Sequence, residues 1–411
     1  MANTREVKTT GFMGWIDKRL PVTQMWEDHL SKYYAPNNFN FWYFFGSLAM
    51  LVLVNQLLTG IWLTMHYKSD AAQAFGVVEY IMRDVPWGWL IRYLHTTGAS
   101  AFFIVVYLHM YRGLMYGSYK KPRELIWVFG MLIYVALMAE AFMGYVLPWG
   151  NMSYWGAKVI TQLFGVIPVI GDTLLEWIRG DYVVSDATLN RFFALHVVAV
   201  PLVLLVLVLM HIAALHQVGS NNPDGIEIKE NKDDNGIPKD GIPFHPYYSV
   251  KDIFGVAVFL LIFLGVVFLN PQFGGLFLEH DNYTIANPGV TPEHIKPVWY
   301  FTPFYAMLKA VPDPLGGMIL MFGAIIMLFT LPWVDRSEVK SIRYRLLPFK
   351  LALAAFVISF LVLGWLGMQS GSTVQKYMAI VCTAVYFLYF PFLFFYTKNE
   401  KHKPIPKRLT H

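Results

Sequence analysis

Two long apolar segments each contain two histidines at nearly the same spacing. His95 and His109 are fourteen residues apart, and His196 and His211 are fifteen residues apart. Fourteen residues make about 3.9 turns of an α-helix and rise about 21 Å, so each pair lies roughly on one face with one member near each end. If the two segments run in the same direction, His95 faces His196 and His109 faces His211. The spacing therefore predicts two bis-histidine sites stacked along a helical bundle.

Paired imidazoles on facing helices suit a low-spin haem, because both axial positions of the iron are then filled and the metal transfers electrons without binding oxygen. For a single buried histidine, a hydrogen bond between helices is the more common role, but four at matched spacing favour iron. Cys382 is the only cysteine, so this chain can build neither a CxxCH haem attachment nor a four-cysteine iron–sulfur site. We therefore expect two non-covalent haems, an outer one on His95 and His196 and an inner one on His109 and His211.

Two further apolar segments carry glycines fourteen residues apart. Gly46 and Gly60 lie in the first, and Gly130 and Gly144 lie in the second. Glycine inside a helix costs about 1 kcal/mol relative to alanine, so these positions need a reason. Close approach of a flat macrocycle to the backbone is one reason, and packing of small residues between helices is the ordinary alternative. The shared spacing favours the macrocycle.

Arginines flank the first histidine pair. Arg92 lies three residues before His95, and Arg112 lies three residues after His109. A guanidinium at each end suits the propionates of a haem. Either arginine could instead be an interfacial side chain that extends its charge to the membrane surface.

The elements that must position these residues are membrane-spanning helices. The 411-residue chain is 56% hydrophobic and only 14% charged, whereas ordinary soluble domains carry about 25% charged residues. This composition excludes an ordinary cytosolic enzyme. Backbone groups in hydrocarbon must be satisfied within the segment, so each long apolar run predicts a helix. We predict an all-α integral membrane protein with eight transmembrane helices, the first four forming the haem-binding bundle: 41–66, 88–113, 125–147, 188–216, 250–270, 315–334, 346–366 and 376–397.

The lysines and arginines of the loops predict the orientation. Cations cluster after the second and sixth spans and in the tail, whereas acids collect in two of the alternate loops. The cations are Lys120, Lys121, Arg123, Arg336, Lys340, Arg343, Arg345, Lys398, Lys401, Lys403, Lys407 and Arg408; the acids are Asp172, Glu176, Asp181, Asp186, Glu279, Asp281, Glu293 and Asp313. With eight spans, both termini lie on the positive, cytoplasmic side. The polar, basic start predicts no cleavable signal peptide.

These features divide the chain into three predicted parts. Residues 1–216 form the haem-binding four-helix bundle, with an amphipathic N-terminal segment and an outer loop at 148–187. Residues 217–249 form a polar loop on the inner side. Residues 250–411 form a second four-helix region with an outer loop at 271–314. Both outer loops are long and rich in Pro, Gly and aromatic residues, which predicts functional surfaces packed back onto the membrane.

Longer motifs strengthen this interpretation. They are RYLHTTGASAFFIVVYLHMYRG, AFMGYVLPWGNMSYWGAKVI, NRFFALHVV with HIAALHQVGSNNPDG, PFHPYYSVKD and HIKPVWYFTPFYAMLKAVPDPLGG. With these motifs the chain resembles cytochrome b of the cytochrome bc complex, the ubiquinol–cytochrome c reductase, over about residues 30 to 400. The length and the polar insertion before PFHPYY are similar to bacterial members, which implies a multi-pass protein of the bacterial inner membrane.

The resemblance implies a quinone cycle coupled to proton translocation. Quinol is oxidised at an outer site, and one electron goes to a Rieske iron–sulfur protein and then to a membrane-anchored cytochrome c. The other electron crosses through the outer and inner b-type haems to quinone at an inner site. The single cysteine fits this division, since other subunits must carry the cluster and haem c. The implied partners also include ubiquinone and a second copy of the complex, but no nucleic acid.

The matched motifs imply the quinone-site residues. The inner site maps onto His216, Ser220, Lys251 and Asp252, where histidine and aspartate can supply the protons that a reduced quinone needs. Asp252 also fits the alternative of an acid stabilised at a helix N-terminus. The outer site maps onto Tyr145, Gly156, Pro297, Trp299, Tyr300 and Tyr305.

The outer-site motif departs from the family pattern. That pattern is Pro-Glu-Trp-Tyr, with the glutamate thought to accept a quinol proton, but this chain has Val298 in its place. Glu140 lies one helical turn before Gly144, where the family usually has a small neutral residue. A buried carboxylate there would suit a proton acceptor, so we hypothesise that Glu140 replaces the missing acid. The alternative is a glutamate paired with a neighbouring cation or an ordered water, and Glu293 and His294 are the fallback candidates.

Two other functions fit parts of the pattern. A di-haem cytochrome b subunit of another membrane dehydrogenase also uses intramembrane histidine pairs, but such subunits are usually shorter and lack the PVWY loop. A secondary transporter also has many helices with ionisable residues, but broken helices and inverted repeats are not apparent here. Haem absorption bands separate the transporter from the other two.

Overall fold

The computed structural model describes residues 10–27 and 33–410. Residues 1–9 and 28–32, both in the predicted first part, and residue 411 lie outside the described residues. The described chain is nearly all helical. Its one described sheet pairs β1 (Tyr34–Pro36) with β2 (Gly241–Pro243) in antiparallel fashion. The predicted all-α class is therefore confirmed.

The α-helices follow one another along the whole described chain. They are α1 (Gly11–Asp17), α2 (Val22–Trp26), α3 (Phe44–Thr64), α4 (Ala74–Arg83), α5 (Gly88–Tyr116), α6 (Glu124–Val146), α7 (Asn151–Gly165), α8 (Gly171–Arg179), α9 (Asp186–Ala194), α10 (Val200–Val218), α11 (Ser249–Leu269), α12 (Thr302–Lys309), α13 (Pro314–Phe329), α14 (Leu331–Val334), α15 (Leu347–Gly367) and α16 (Thr373–Tyr396). A π-helical turn at Leu195–Ala199 joins α9 to α10.

Seven helical stretches of the described residues are long and apolar enough to cross a membrane. They are Phe41–Thr64, Gly88–Tyr116, Glu124–Val146, Asp186–Val218, Phe244–Leu269, Leu347–Gly367 and Thr373–Asn399. The predicted span 315–334 is instead the 16-residue α13 followed by the short α14. Pro332 in the first turn of α14 has no N–H, so it cannot continue the hydrogen bonds of α13. The eighth span stays a prediction.

The outward faces of these helices are apolar. Leu209 on α10 and Leu261 and Leu269 on α11 are 68%, 77% and 86% exposed. Exposed leucines that continue along whole helices are unfavourable in water but favourable against lipid. The chain is an integral membrane protein.

The interior is formed by packed pairs of helices. α3 packs on α5, α6 packs on α10, and α11 packs on both α3 and α5. In the second half α15 lies between α12 and α16. Trp127 of α6 donates to the carbonyl of Leu328 at 2.8 Å, which ties the two halves together.

The two outer loops pack on one another. Residues 148–187 contain α7 and α8, so much of that predicted loop is helical. The Ser153 backbone N–H donates to Asn282 Oδ1 at 2.8 Å, and Asn282 Nδ2 donates to Ser153 Oγ at 3.0 Å. Ser153 Oγ in turn donates to the Tyr145 carbonyl at 2.6 Å. The loop at 271–314 is thus held against the end of α6.

A buried ionic cluster lies at the other end of the helices, opposite the two outer loops, and joins the residues after α5 and α14. Asp335, which follows α14, is 4% exposed and accepts from Arg345 at 2.6 Å and from Tyr119 at 2.6 Å. Lys120 lies 2.9 Å from the same carboxylate. Burial alone would raise the pKa of Asp335, but Arg345 and Lys120 outweigh it and hold this pKa below its usual value.

Further ion pairs on this side connect the loops after α5, α10 and α14 with the tail. They are Arg123 with Glu227 (2.5 Å), Arg343 with Asp224 (2.8 Å), Arg345 with Glu400 (3.2 Å) and Arg408 with Asp240 (2.7 Å). These four arginines, which belong to the cations that predict the inner side, therefore lie at the same end of the helices.

Replacing Asp335 with alanine is expected to destabilise the protein by about 3–5 kcal/mol, because Arg345 would be left buried without its main counter-charge. Thermal unfolding in detergent, followed by tryptophan fluorescence, measures the loss. The matched control is Glu79→Ala, which breaks the exposed Glu79–Arg83 pair and should change stability by less than about 1 kcal/mol. Equal losses in the two variants would contradict the assignment. Since the pKa of Asp335 is lowered by folding, its contribution is present at neutral pH and disappears as the pH falls through that lowered value.

Candidate functional site

The four histidines come from α5 and from α10 with the π-helical turn that precedes it. His95 and His109 lie on α5, His211 lies on α10, and His196 lies in the π-helical turn before it. A π-turn holds one residue more than an α-turn, so it accommodates the fifteen-residue spacing that would otherwise rotate His211 by about 100°. Pro201 lies two residues after the end of the turn, and its missing N–H removes one hydrogen bond from the start of α10.

The structure brings together the two predicted pairs. The ring centres of His95 and His196 are 6.3 Å apart with an interplanar angle of 88°. The ring centres of His109 and His211 are also 6.3 Å apart, at 63°. Because an imidazole nitrogen binds a metal at about 2.0–2.1 Å, each gap fits one metal ion between two rings.

Three of the four imidazoles are fixed through Nδ1 by a neighbouring helix. The partners are Thr59 Oγ1 for His95 (2.9 Å), the Glu140 carbonyl for His196 (2.9 Å) and the Ile126 carbonyl for His211 (3.0 Å). A hydrogen bond at one ring nitrogen fixes the tautomer and leaves the other nitrogen for a metal. His109 Nδ1 is buried without a hydrogen-bond partner among the described residues.

Each of the four predicted glycines lies against one of these rings. A Cβ added at each would lie 3.4 Å from His109 Cε1 (Gly46), 3.2 Å from His95 Cε1 (Gly60), 3.4 Å from His211 Cε1 (Gly130) and 2.5 Å from His196 Cε1 (Gly144). The glycines thus admit the imidazole edges to the backbones of α3 and α6. The predicted contact with a macrocycle stays a prediction.

Of the two predicted arginines, Arg92 is buried and Arg112 is half-buried. Arg92 is 9% exposed and its Nη1 has no hydrogen-bond partner in the described part of the chain. Arg112 stacks on the ring of Tyr43 at 4.8 Å, and its Nε likewise has no partner there. Buried guanidinium N–H groups without acceptors are costly, so these sites fit an anionic group such as a haem propionate.

One cavity extends from the outer histidine pair to the loop at 271–314. Its wall includes His95 and His196 together with Tyr145, Val298 and Tyr300. The wall is mostly apolar, with few polar groups, which is typical of a site for an apolar ligand.

The other predicted outer-site residues lie around this cavity but are not among the described residues of its wall. Three of them contact or adjoin a wall residue, whereas Tyr305 contacts Ile295, which is not among the wall residues. Trp299 donates to Ser100 Oγ at 3.1 Å, and Tyr305 donates to the Ile295 carbonyl at 2.9 Å. A Cβ added at Gly156 would lie 3.7 Å from Tyr145 Cε1. Pro297 directly precedes Val298 in the sequence. Tyr300 stacks on Phe103 with ring centres 3.9 Å apart.

Two carboxylates reach the cavity. Glu140, the predicted one, has Oε1 3.0 Å from His196 Nδ1, while its Oε2 is buried without a hydrogen-bond partner among the described residues. Glu279 is the second, and sequence reasoning missed it. It is 6% exposed and accepts a short hydrogen bond from the Tyr145 hydroxyl. Burial raises the pKa of Glu279. The fallback candidates, Glu293 and His294, are exposed.

The predicted inner-site residues are connected through aromatic rings. His216 lies 4.9 Å from the ring of Tyr33, whose hydroxyl is 3.0 Å from Ser220 Oγ. Asp252 accepts from Ser47 at 3.3 Å. Phe244 and Tyr248 link the two groups: their ring centres are 6.0 Å apart, Phe244 is 6.1 Å from Tyr33, and Lys251 Nζ is 5.1 Å from the ring of Tyr248.

Comparisons with known proteins show which family the chain belongs to. Residues 30–219 match the family model Cytochrome b/b6/petB, and residues 285–387 match Cytochrome b(C-terminal)/b6/petD. A "Cytochrome b" of Allochromatium vinosum is 60% identical over 97% of this chain and 98% of the relative. That of Rhodospirillum rubrum is 50% identical over 95% and 94%. A chain of a solved "Hyperthermophilic respiratory Complex III" superposes with a TM-score of 0.86 at 36% identity, covering 93% of this chain and 98% of that one. The chain belongs to the cytochrome b family.

Proposed function

We propose that this chain is the electron-transfer subunit of a quinol–cytochrome c reductase. It oxidises quinol at an outer site, passes one electron across the membrane and reduces quinone at an inner site, coupled to proton translocation. The observation that carries this proposal is the pair of bis-histidine sites on α5 and α10, one towards each end of the bundle. Membership of the cytochrome b family supports it.

The chain would hold two b-type haems, the outer on His95 and His196 and the inner on His109 and His211. Held by two histidines, each haem would supply one-electron transfer without oxygen binding. Thr59 and the carbonyls of α6 orient the imidazoles. Arg92 and Arg112 would pair with the propionates at the two ends.

Quinol would bind in the outer cavity between Tyr145 and Tyr300, with Gly156, Pro297, Trp299 and Tyr305 as supports. Val298 gives this end an apolar wall and is 5% exposed. At the inner site, His216 and Asp252 would deliver protons to the reduced quinone, while Ser220 and Lys251 bind it. Glu140 is the proton acceptor hypothesised from the sequence; its Oε1 lies 3.0 Å from His196 Nδ1, and it is one of two acidic candidates at the outer site.

The complex would supply the remaining electron carriers. A Rieske iron–sulfur protein and a membrane-anchored cytochrome c would take the second electron, with ubiquinone as substrate and two copies of the complex as a dimer. The likeness to a chain of a respiratory Complex III supports a multi-subunit assembly.

The proposed topology has eight spans, with both termini on the cytoplasmic side of a bacterial inner membrane. The inner-side ion pairs support it. Asp335, after α14, pairs with Lys120, after α5, whereas Glu279, before α13, bonds Tyr145 at the outer end of α6. The chain from 314 to 334 must then cross between the two sides. The chain would divide into three parts, with boundaries after residues 216 and 249.

The proposal is tested on the complex purified in mild detergent. The reduced-minus-oxidised spectrum is expected to contain two b-type signals at two haems per chain, and added ubiquinol should reduce cytochrome c. Cytochrome c reduction by ubiquinol separates the proposal from a di-haem subunit of another dehydrogenase, which would show the haem bands without quinol–cytochrome c turnover. A preparation without haem bands would overturn both assignments.

A further inference from the structure

We propose that Glu279 accepts a proton from quinol at the outer site, an inference that rests on the proposed function. Oxidation of a quinol must release its hydroxyl protons, so a base is needed where the hydroxyl binds. Val298 cannot serve, since its side chain has no titratable group. The question is which carboxylate of the outer cavity is free to act.

Geometry separates the two candidates. Glu140 is directed at the outer histidine pair, where its Oε1 lies 3.0 Å from His196 Nδ1. Glu279 lines the same cavity as Val298 and Tyr300. Its Oε2 accepts from the Tyr145 hydroxyl, and the Tyr145 carbonyl in turn accepts from Ser153 Oγ. The carboxylate of Glu279 is therefore bonded to a tyrosine of the proposed quinol site, whereas that of Glu140 is directed at a histidine.

The position of Glu279 also gives the proton an exit. Glu279 is buried, but the next two residues, His280 and Asp281, are exposed on the outer loop. In the proposed step the quinol O–H bond breaks, an O–H bond forms on the Glu279 carboxylate, and the electron leaves to the iron–sulfur acceptor of the complex. The protonated side chain then releases its proton to water on the outer side.

The charges around Glu279 are few. Tyr145 of α6 and Tyr300 of the PVWY segment face it, together with Lys296 and Asp281 of its own loop. Burial, the largest effect, and Asp281 raise the pKa of Glu279, the Tyr145 hydrogen bond and Lys296 lower it, and the net result is a raised pKa. The carboxylate form is thus available only above that raised value, so quinol oxidation should accelerate as the pH rises through it.

Glu279→Gln in the purified complex is the decisive variant. Glutamine still accepts the Tyr145 hydrogen bond but cannot take a proton. We expect quinol oxidation to slow on the order of 10²-fold and to lose its pH-dependent step, with both haem signals retained. The matched control is Glu176→Gln, an exposed acid on α8, which should keep the wild-type rate and pH profile. Glu140→Gln should keep the pH-dependent step and alter the spectrum of the outer haem.

The outcomes distinguish this inference from the proposed function. A wild-type complex without quinol–cytochrome c activity contradicts the function itself. An active wild type with an unchanged Glu279→Gln rate and pH profile overturns only the role of Glu279, and loss of the pH-dependent step in Glu140→Gln alone reassigns it to Glu140. If the glutamine variant assembles without haem, Glu279→Asp decides: its shorter carboxylate must shift the pH midpoint, and an unshifted midpoint overturns the inference.

Discussion

Replacing His196 with leucine is expected to leave the purified complex with one b-type haem per chain instead of two and to abolish quinol oxidation. The outer pair would lose one of its two protein ligands, and His95, the remaining one, offers a single ring nitrogen because its Nδ1 is hydrogen-bonded to Thr59 at 2.9 Å. The inner pair is at the other end of α5 and should keep its haem. Haem-to-protein ratio and low-temperature difference spectra measure the change.

The control for this variant is His402→Leu, an exposed histidine in the tail. It should keep both haems and full turnover. Two haems per chain in the His196 variant would refute the assignment of the outer site, and loss of both haems in it would show that the two sites do not fold independently.

Gly144→Ala is expected to deplete the outer haem almost as severely as removal of the histidine. A Cβ at this position would lie 2.5 Å from His196 Cε1 and 3.0 Å from both ring nitrogens. Atoms at this separation overlap, so the imidazole must turn or α6 must move away from α10. Overpacking of this kind costs about 1–3 kcal/mol, and here it displaces a ligand.

The other glycines supply a graded comparison within the same structure. Gly130→Ala places its Cβ 3.4 Å from His211 Cε1, which the ring can accommodate with a small shift, so the inner haem should be retained. Gly265→Ala on α11 meets nothing within 4 Å and should behave as wild type. Equal outer-haem content in Gly144→Ala and Gly265→Ala would contradict the steric argument.

The histidine pairs could be predicted from sequence because a helix turns one-dimensional spacing into a face. Once α5 and α10 were expected to run in the same direction, His95 had to meet His196 near one side of the bundle. The glycines followed from the same periodicity. Their contact with the imidazoles did not follow, because it depends on how deeply α3 and α6 approach the neighbouring helices.

Irregular segments set the limit of that reasoning. The loop at 271–314 has no long periodic element before α12, so nothing in its residue types distinguished Glu279 from the other outer acids. Its position results from the bonds between Asn282 and Ser153, which join residues 129 positions apart. Similarly, the apolar run at 315–334 hides the break between α13 and α14, which follows from a single proline.

The π-helical turn at His196 has a consequence for how the sequence of this chain can change in evolution. In a continuous α-helix, one inserted or deleted codon rotates every later residue by about 100° and would turn His211 away from His109. Because the turn at Leu195–Ala199 already holds one residue more than an α-turn, deletion of one codon there would restore an α-turn and leave the rest of α10 in register, whereas a further insertion would rotate it by about 100°. The spacing between His196 and His211 can thus shorten by one residue at this turn, while the face on which both histidines lie is preserved.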